Sequence, residues 1–142
     1  MQSLTIIFFI LFLLPIDANS ETLSSRYFYS GDGRINITSA KSGLSFNGIY
    51  RNKDGAYNIT ALSKINKIFQ AKYGNPAFEV SPRLIEFLDY LENQLKPGTK
   101  ISIASGFRSP EYNTKLRANG KLAAKASLHQ YGMAADAKFA GL

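Results

Sequence analysis

The sequence predicts an α+β domain in which helices pack on a small, mainly antiparallel sheet. Three observations predict it: short apolar alternations typical of strands, longer apolar periodicities typical of helices, and turn residues between them. The chain has 142 residues and no cysteine, which bounds it to one modest domain without disulfides. Any metal must therefore be bound by nitrogen and oxygen ligands.

Residues 1–20 are predicted to be a removable export signal. Leu4 to Ile16 is a nearly unbroken apolar run, too short for a comfortable membrane span, and Ala18-Asn19-Ser20 offers small residues for cleavage. No Lys or Arg precedes the run, so an uncleaved anchor is the alternative. The formal net charge is +7, and removal of Asp17 with the signal raises it to +8. A charge of this sign favours anionic polymers as partners.

Residues 21–57 are expected to form an N-terminal extension with a small β-hairpin. The hairpin turn is predicted at Lys41-Ser42-Gly43, and Lys53-Asp54-Gly55 is the next turn. Apolar residues alternate with polar ones on both sides of the first turn: Ile35 and Ile37, then Leu44 and Phe46.

Residues 58–142 are expected to form the main domain, which opens with two helices. Asn58 can cap the first helix and Gly74 can end it, around apolar positions Leu62, Ile65, Ile68 and Phe69. The second helix has Ser81 as its N-cap and Pro82 as its first residue. Its leucines recur at positions 84, 88, 91 and 95, and Lys96-Pro97-Gly98 closes it.

The acidic residues of the second helix are expected to face solvent. Glu86, Asp89 and Glu92 lie off the leucine stripe, where carboxylates are more often a solvated surface than a paired acid and base.

A strand over Thr99 to Ser105 and a third helix follow. Ser109 caps this helix, Pro110 is its first residue, and Asn119-Gly120 stops it. Arg108 therefore lies at a junction between a strand end and a helix start, where ligand groups often collect. The alternative is an ion pair of Arg108 with a nearby carboxylate such as Glu111.

The stretch SLHQYGMAAD, Ser127 to Asp136, contains the one histidine of the chain. In a helix, His129 and Asp136 would be about 10.5 Å apart along the axis, and on a straight strand they would face opposite sides. A loop that turns at Gly132 and enters a short strand at Met133-Ala134-Ala135 could bring Asp136 back to His129. The pair could then bind a metal or form an ordinary hydrogen bond.

Two motifs carry a family resemblance. SLHQYGMAAD follows the pattern Ser-x-His-x-x-Gly-x-Ala-x-Asp and lies downstream of SGFRSPEYN, Ser105 to Asn113. In this order they resemble the zinc D-Ala-D-Ala carboxypeptidase and murein endopeptidase family, with the hedgehog/DD-peptidase fold. The intervening segment Lys115 to Ala126 also fits its periplasmic YcbK-like branch. The resemblance covers roughly Ser81 to Leu142.

The resemblance implies a role for four residues. His129 and Asp136 would be two ligands of Zn²⁺, and Arg108 would bind a substrate carboxylate or stabilise the oxyanion. Ser127 would contact the peptide near the scissile bond. The implied reaction is zinc-assisted hydrolysis of D-amino-acid peptides of peptidoglycan, by a carboxypeptidase or an endopeptidase.

The implied partners are peptidoglycan peptides in the periplasm or cell wall. Export argues against nucleic acid, and the basic residues are scattered without interleaved aromatics. No transmembrane span is expected after signal cleavage, and the sequence does not indicate an oligomeric state.

The family completes its metal site with another histidine well downstream, in the region that also holds the general base. The third ligand and the base are therefore expected beyond Leu142, with the domain truncated at its C-terminus and its zinc binding weak. Glu111 is an alternative oxygen ligand. The alternatives are a non-catalytic exported wall-binding protein that keeps the peptide groove, and a basic binding domain with a structural His-Asp pair.

Overall fold

A computed structural model describes residues 29–70 and 78–141. The predicted signal at residues 1–20 and the predicted helix end at Gly74 lie outside these ranges. The described elements, in chain order, are β1 (Arg34–Ser39), β2 (Ser45–Ile49), α1 (Ile59–Phe69), α2 (Pro82–Leu95), β3 (Ile101–Ser105), α3 (Pro110–Ala118), a 3-10 turn (Leu128–Tyr131) and β4 (Asp136–Phe139). The predicted α+β class is confirmed.

The strands form one four-stranded sheet in the order β2-β1-β3-β4. β1 pairs with β2 and β3 pairs with β4 antiparallel, whereas β1 and β3 run parallel with Ile37 opposite Ile101. The sheet is therefore mainly antiparallel, as predicted, with one parallel pair at its centre. The hairpin β1–β2 belongs to the same sheet as β3 and β4. The expected boundary between residues 57 and 58 stays a prediction.

The core lies between one face of the sheet and the first two helices. Alternation places Ile35 and Ile37 of β1 on the same buried face. They pack in one cluster with residues of the other elements: Ile101 and Ile103 of β3, Ile65, Ile68 and Phe69 of α1, and Ile85 and Leu88 of α2. No helix in the described ranges is long and apolar enough to cross a bilayer.

The helix signals read from the sequence are largely confirmed. The Asn58 side chain accepts a hydrogen bond from the Ala61 N–H, and Pro82 and Pro110 are first residues of α2 and α3. α1 ends earlier than predicted, because Gln70 adopts extended backbone angles directly after Phe69.

The prediction of a solvated acidic face on α2 is wrong. Glu86, Asp89 and Glu92 are all buried. The helix turns this face towards polar groups from distant parts of the chain, since Tyr57 donates to Glu86 and Tyr50 donates to Asp89. Burial of these carboxylates is tolerated because each gains hydrogen-bond donors, which for Glu92 are the backbone N–H groups of Gly98 and Thr99.

Candidate functional site

The site forms at one edge of the sheet. Since β1 and β3 are parallel, their carboxyl ends meet there, and β4 begins at the same edge with Asp136. Arg108 follows β3 by three residues, and His129 lies on the 3-10 turn Leu128–Tyr131, named here the His129 turn. Arg108, His129 and Asp136, which we name the site cluster, are thus brought together from separate segments.

The chain reverses at Gly132, as predicted. Gly132 has a φ of 64°, the left-handed conformation that glycine adopts most readily, and ends the His129 turn. The strand predicted to begin at Met133 begins instead at Asp136. Met133 belongs to the end of the His129 turn, because its N–H donates to the Leu128 carbonyl at 3.0 Å.

His129 is fixed by two hydrogen bonds to the segment after β3. Its Nδ1 lies 2.7 Å from the Gly106 carbonyl oxygen, and the Arg108 N–H donates to the His129 carbonyl at 3.1 Å. A carbonyl oxygen can only accept, so Nδ1 carries the proton in this contact. In the neutral ring, Nε2 therefore keeps its lone pair and is the nitrogen available as a ligand.

Asp136 presents its two oxygens to different partners. Oδ1 lies 3.7 Å from His129 Nε2, whereas Oδ2 accepts from Arg108 Nη2 at 2.9 Å. The Asp136 side chain is 56% exposed, and those of His129 and Arg108 are 12% and 16% exposed. The cluster therefore has two largely buried side chains and one exposed carboxylate.

Arg108 does pair with a carboxylate, as the alternative to a ligand role proposed, but the partner is Asp136 and not the example Glu111. Its Nε donates to Ser105 Oγ at 3.1 Å, so the guanidinium spans Ser105 and Asp136. Glu111 is in the first turn of α3, where hydrogen bonds from its own backbone N–H and from the Ser109 hydroxyl lower the pKa of Glu111. The arginine at this junction is thus part of the site cluster.

The donor set fits two ligands of a zinc ion. Two atoms bound to one tetrahedral ion at about 2.0 to 2.1 Å lie roughly 3.3 to 3.4 Å apart, close to the separation of Nε2 and Oδ1. The Nδ1 hydrogen bond to a backbone carbonyl is the contact that orients metal-binding histidines. Within residues 29–70 and 78–141, no group of three His, Asp or Glu residues is placed to hold an ion, so neither Glu111 nor another carboxylate completes this pair.

Ser127 precedes the His129 turn without joining the site cluster. It occupies the N-cap position, makes no side-chain cap hydrogen bond, and uses its carbonyl to accept from the Gln130 N–H at 2.9 Å. Its predicted contact with substrate stays a prediction.

Sequence reasoning missed Ser105 and Gly106, which support the cluster. An added Cβ on Gly106 would lie 2.4 Å from the Phe69 carbonyl oxygen, and the Phe107 N–H donates to that oxygen at 2.8 Å. The end of α1 thus fixes the segment whose carbonyl orients His129. Both residues lie inside the motif SGFRSPEYN, so the motif was the signal that could have found them.

Fold and site together form a small α+β domain with a His, Asp and Arg cluster at the carboxyl edge of its sheet, an arrangement that a peptidase domain can have. The family model described as peptidoglycan L,D-endopeptidase MepK, one of the M15 peptidases, matches residues 31–142. The chain belongs to this family, and the resemblance to the zinc carboxypeptidases and murein endopeptidases is confirmed. Peptidases of the M15 family are zinc-dependent.

Curated relatives agree with this assignment. The chain is 32% identical over 81 residues to the peptidoglycan L,D-endopeptidase MepK of Escherichia coli K12, and equally to the proteins of that name from E. coli O157:H7 and Shigella flexneri. The aligned segment covers 57% of this chain and 44% of each relative, so the chain spans less than half the length of these relatives in the alignment. No solved structure matches the chain.

Proposed function

We propose that this chain carries the zinc site of an exported endopeptidase that hydrolyses peptide bonds in peptidoglycan. The family supports the peptidoglycan substrate and favours an endopeptidase over a carboxypeptidase. The observation that carries the zinc assignment is the placement of His129 Nε2 and Asp136 Oδ1, 3.7 Å apart, with the other nitrogen of the imidazole held by Gly106.

His129 and Asp136 hold the ion in this proposal. A bound zinc supplies a Lewis acid and lowers the pKa of its water ligand. The Gly106 carbonyl keeps the imidazole in the tautomer that a metal requires, and Arg108 holds the outer oxygen of Asp136 so that the inner one stays towards His129.

Arg108 also has the capacity to bind substrate. Ser105 and Asp136 occupy two of its five N–H donors, which leaves three beside the cluster. A planar guanidinium can bind a carboxylate or a peptide carbonyl through such donors, and a lysine cannot span both neighbours in the same way. Arg108 therefore positions Asp136 and offers donors to the peptide at once.

Several expectations remain predictions. They are a third ligand and a general base, the substrate contact of Ser127, and cleavage of the signal at residues 1–20. The non-catalytic wall-binding alternative also stays open to test, because it keeps Arg108 and the peptide groove without zinc.

The test is zinc binding by the full chain, measured by calorimetry and by ¹⁵N NMR of the imidazole. The chain has one histidine, so its ring signals need no assignment. We expect the Nδ1–H tautomer before zinc is added and a shift of the Nε2 signal on addition. His129→Ala and Asp136→Ala should each lower zinc affinity at least about tenfold. Each removes a ligand, and loss of a group that only orients a ligand already costs about tenfold or more.

Glu111→Gln is the matched control, because it removes a nearby exposed carboxylate outside the site cluster. Its zinc affinity should equal that of the original chain. Hydrolysis of cross-linked peptidoglycan peptides is measured in parallel. An Nε2 signal that does not respond to zinc would reject the metal assignment. Retained peptide binding that depends on Arg108 would then support the wall-binding alternative.

A further inference from the structure

We propose that Lys41, at the tip of the β1–β2 hairpin, binds a carboxylate of the substrate peptide next to the site cluster. This inference rests on the proposed function, because it assigns to the same site the chemical class of its substrate: a peptide with a free carboxylate on the side of β1.

Lys41 lies in the turn two residues beyond the end of β1, and Ser105 and Asp136 pair at the corresponding end of β3. Ser39 is opposite Ile103 in the parallel pair, and Lys41 and Ser105 each follow two residues later. Ser105 is in turn opposite Asp136. The pairing continues past Ser39, since the Ala40 N–H donates to the Ile103 carbonyl at 2.9 Å. The hairpin tip thus lies at the same sheet edge as the site cluster.

The tip is held by its own hydrogen bonds. The buried Ser39 hydroxyl accepts from the Lys41 N–H at 3.4 Å and from the Ser42 N–H at 3.2 Å. Gly43 has a φ of 72° and donates its N–H to the Ser39 carbonyl at 3.0 Å. A turn fixed in this way presents the lysine from a defined position, which lowers the entropy cost of binding a ligand there.

A shallow depression connects Lys41 with the segment that supports the site cluster. It is lined by Lys41, Gln70, Ser105 and Phe107, among others. Lys41 is exposed and takes part in no ion pair within the described ranges. Its ammonium group is therefore available to an anion that lies along this edge.

The spacing suits an extended peptide. Neighbouring strands are about 4.8 Å apart, so β1 and β4, on either side of β3, are about 10 Å apart, which an extended peptide covers in roughly three residues. A carboxylate about three residues away from the peptide bond at the site cluster would lie within reach of the Lys41 ammonium group. Because Lys41 shares this depression with Ser105, which contacts Arg108, its position favours a peptide carboxylate over a wall polymer bound elsewhere on the basic surface.

The experiment compares two forms of one probe on the full chain with zinc. The probe is a fluorescent stem peptide from peptidoglycan, with its carboxylates free or converted to primary amides. We expect Lys41→Ala to weaken binding of the free-acid peptide about threefold to fivefold at low salt and to leave the amide unchanged. The loss should shrink at high salt, and Lys41→Arg should restore binding. Lys53→Ala, an exposed lysine in the turn after β2, is the matched control and should bind both forms normally.

The outcomes separate this inference from the proposed function. If Lys41→Ala weakens both peptides equally, or Lys53→Ala gives the same loss, the carboxylate contact is rejected. If binding requires His129 but ignores Lys41, the inference fails and the proposed function stands. If the original chain binds neither peptide while the His129 Nε2 signal still responds to zinc, the inference fails and the metal assignment stands.

Discussion

Asp89 is buried on α2, and its carboxylate accepts three hydrogen bonds. The donors are the Gly33 N–H at 2.8 Å, the Tyr50 hydroxyl at 2.8 Å and the Asn93 amide at 3.0 Å. Loss of hydration nonetheless raises the pKa of Asp89 to about 6, because burial outweighs these donors. Burial also raises the pKa of the Tyr50 hydroxyl, which stays a donor.

Asp89 is expected to make the protein more stable in mild acid. A carboxyl whose folded pKa lies above its unfolded value near 4 stabilises the fold fully below that value and loses this contribution as the pH rises through about 6. The shift corresponds to about 2 to 3 kcal/mol of unfolding free energy between pH 4 and pH 7. Asp89→Asn should remove this part of the pH dependence, as measured by urea unfolding at several pH values.

Asp54→Asn is the control for this measurement, because Asp54 is exposed in the turn before α1. Its unfolding free energy should follow that of the original chain at every pH. If Asp89→Asn also keeps the original pH dependence, the raised pKa of Asp89 is not what links folding to protons here.

At the scale of elements, the His129 turn depends on a glycine that no other residue replaces well. An added Cβ on Gly132 would lie 2.4 Å from the Phe78 ring and 2.9 Å from the Glu79 carbonyl oxygen. The Gly132 carbonyl also accepts from the Ser81 N–H at 3.0 Å, which attaches the turn to the start of α2. Both the left-handed angle and the close packing require glycine.

Gly132→Ala should destabilise the fold and displace His129. The left-handed angle costs about 1 kcal/mol for alanine, and the steric overlap adds about 1 to 3 kcal/mol. Gly120→Ala separates the two terms, because Gly120 has a similar φ of 68° with nothing within 4 Å of an added Cβ. It should cost only about 1 kcal/mol. Equal losses in thermal unfolding would show that packing against Phe78 contributes nothing.

Element boundaries followed from local signals and could be predicted. Asn58, Pro82 and Pro110 mark helix starts through contacts within four residues, which a sequence displays directly. The parallel pairing of β1 with β3 joins residues 64 positions apart, such as Ile37 and Ile101, and no local pattern reports it. The burial of α2 carboxylates was missed for the same reason, since their donors come from distant segments.

In the site, too, local sequence signals predicted one contact, and contacts between distant segments determined another. Proximity of His129 and Asp136 was predicted from a turn at Gly132 and is confirmed by the 3.7 Å separation. The partner of Arg108 was not predicted, because β4 had to be placed beside β3 before Asp136 could be known to lie within its reach. Motifs thus identified the residues, and the sheet order determined how they contact each other.

At the scale of the whole molecule, a buried polar network joins α2 to the segments that precede β1 and follow β2. Glu86 accepts from Tyr57 at 2.7 Å and from Arg83 at 2.8 Å, and its carboxylate lies 3.5 Å from Arg51 Nε. Arg51 also donates to the carbonyls of Ser30 and Gly31. One carboxylate therefore connects three stretches of chain that enclose the core.

Glu86→Ala is expected to lower the stability of the entire domain by about 3 kcal/mol, because it leaves the buried Arg51 charge and the Tyr57 hydroxyl without this acceptor. Arg83→Ala tests the exposed side of the same network. Its side chain is 60% exposed, whereas that of Glu86 is 1% exposed, so the loss should stay below about 1 kcal/mol. Urea unfolding followed by circular dichroism and by Tyr fluorescence should give one coincident transition in Arg83→Ala, in which α2 and the segments around the hairpin still share Glu86. Two separate transitions in Glu86→Ala would mean that this carboxylate couples the unfolding of α2 to that of the hairpin. If Glu86→Ala lost no more unfolding free energy than Arg83→Ala, the buried contacts of Glu86 would add nothing beyond a surface ion pair.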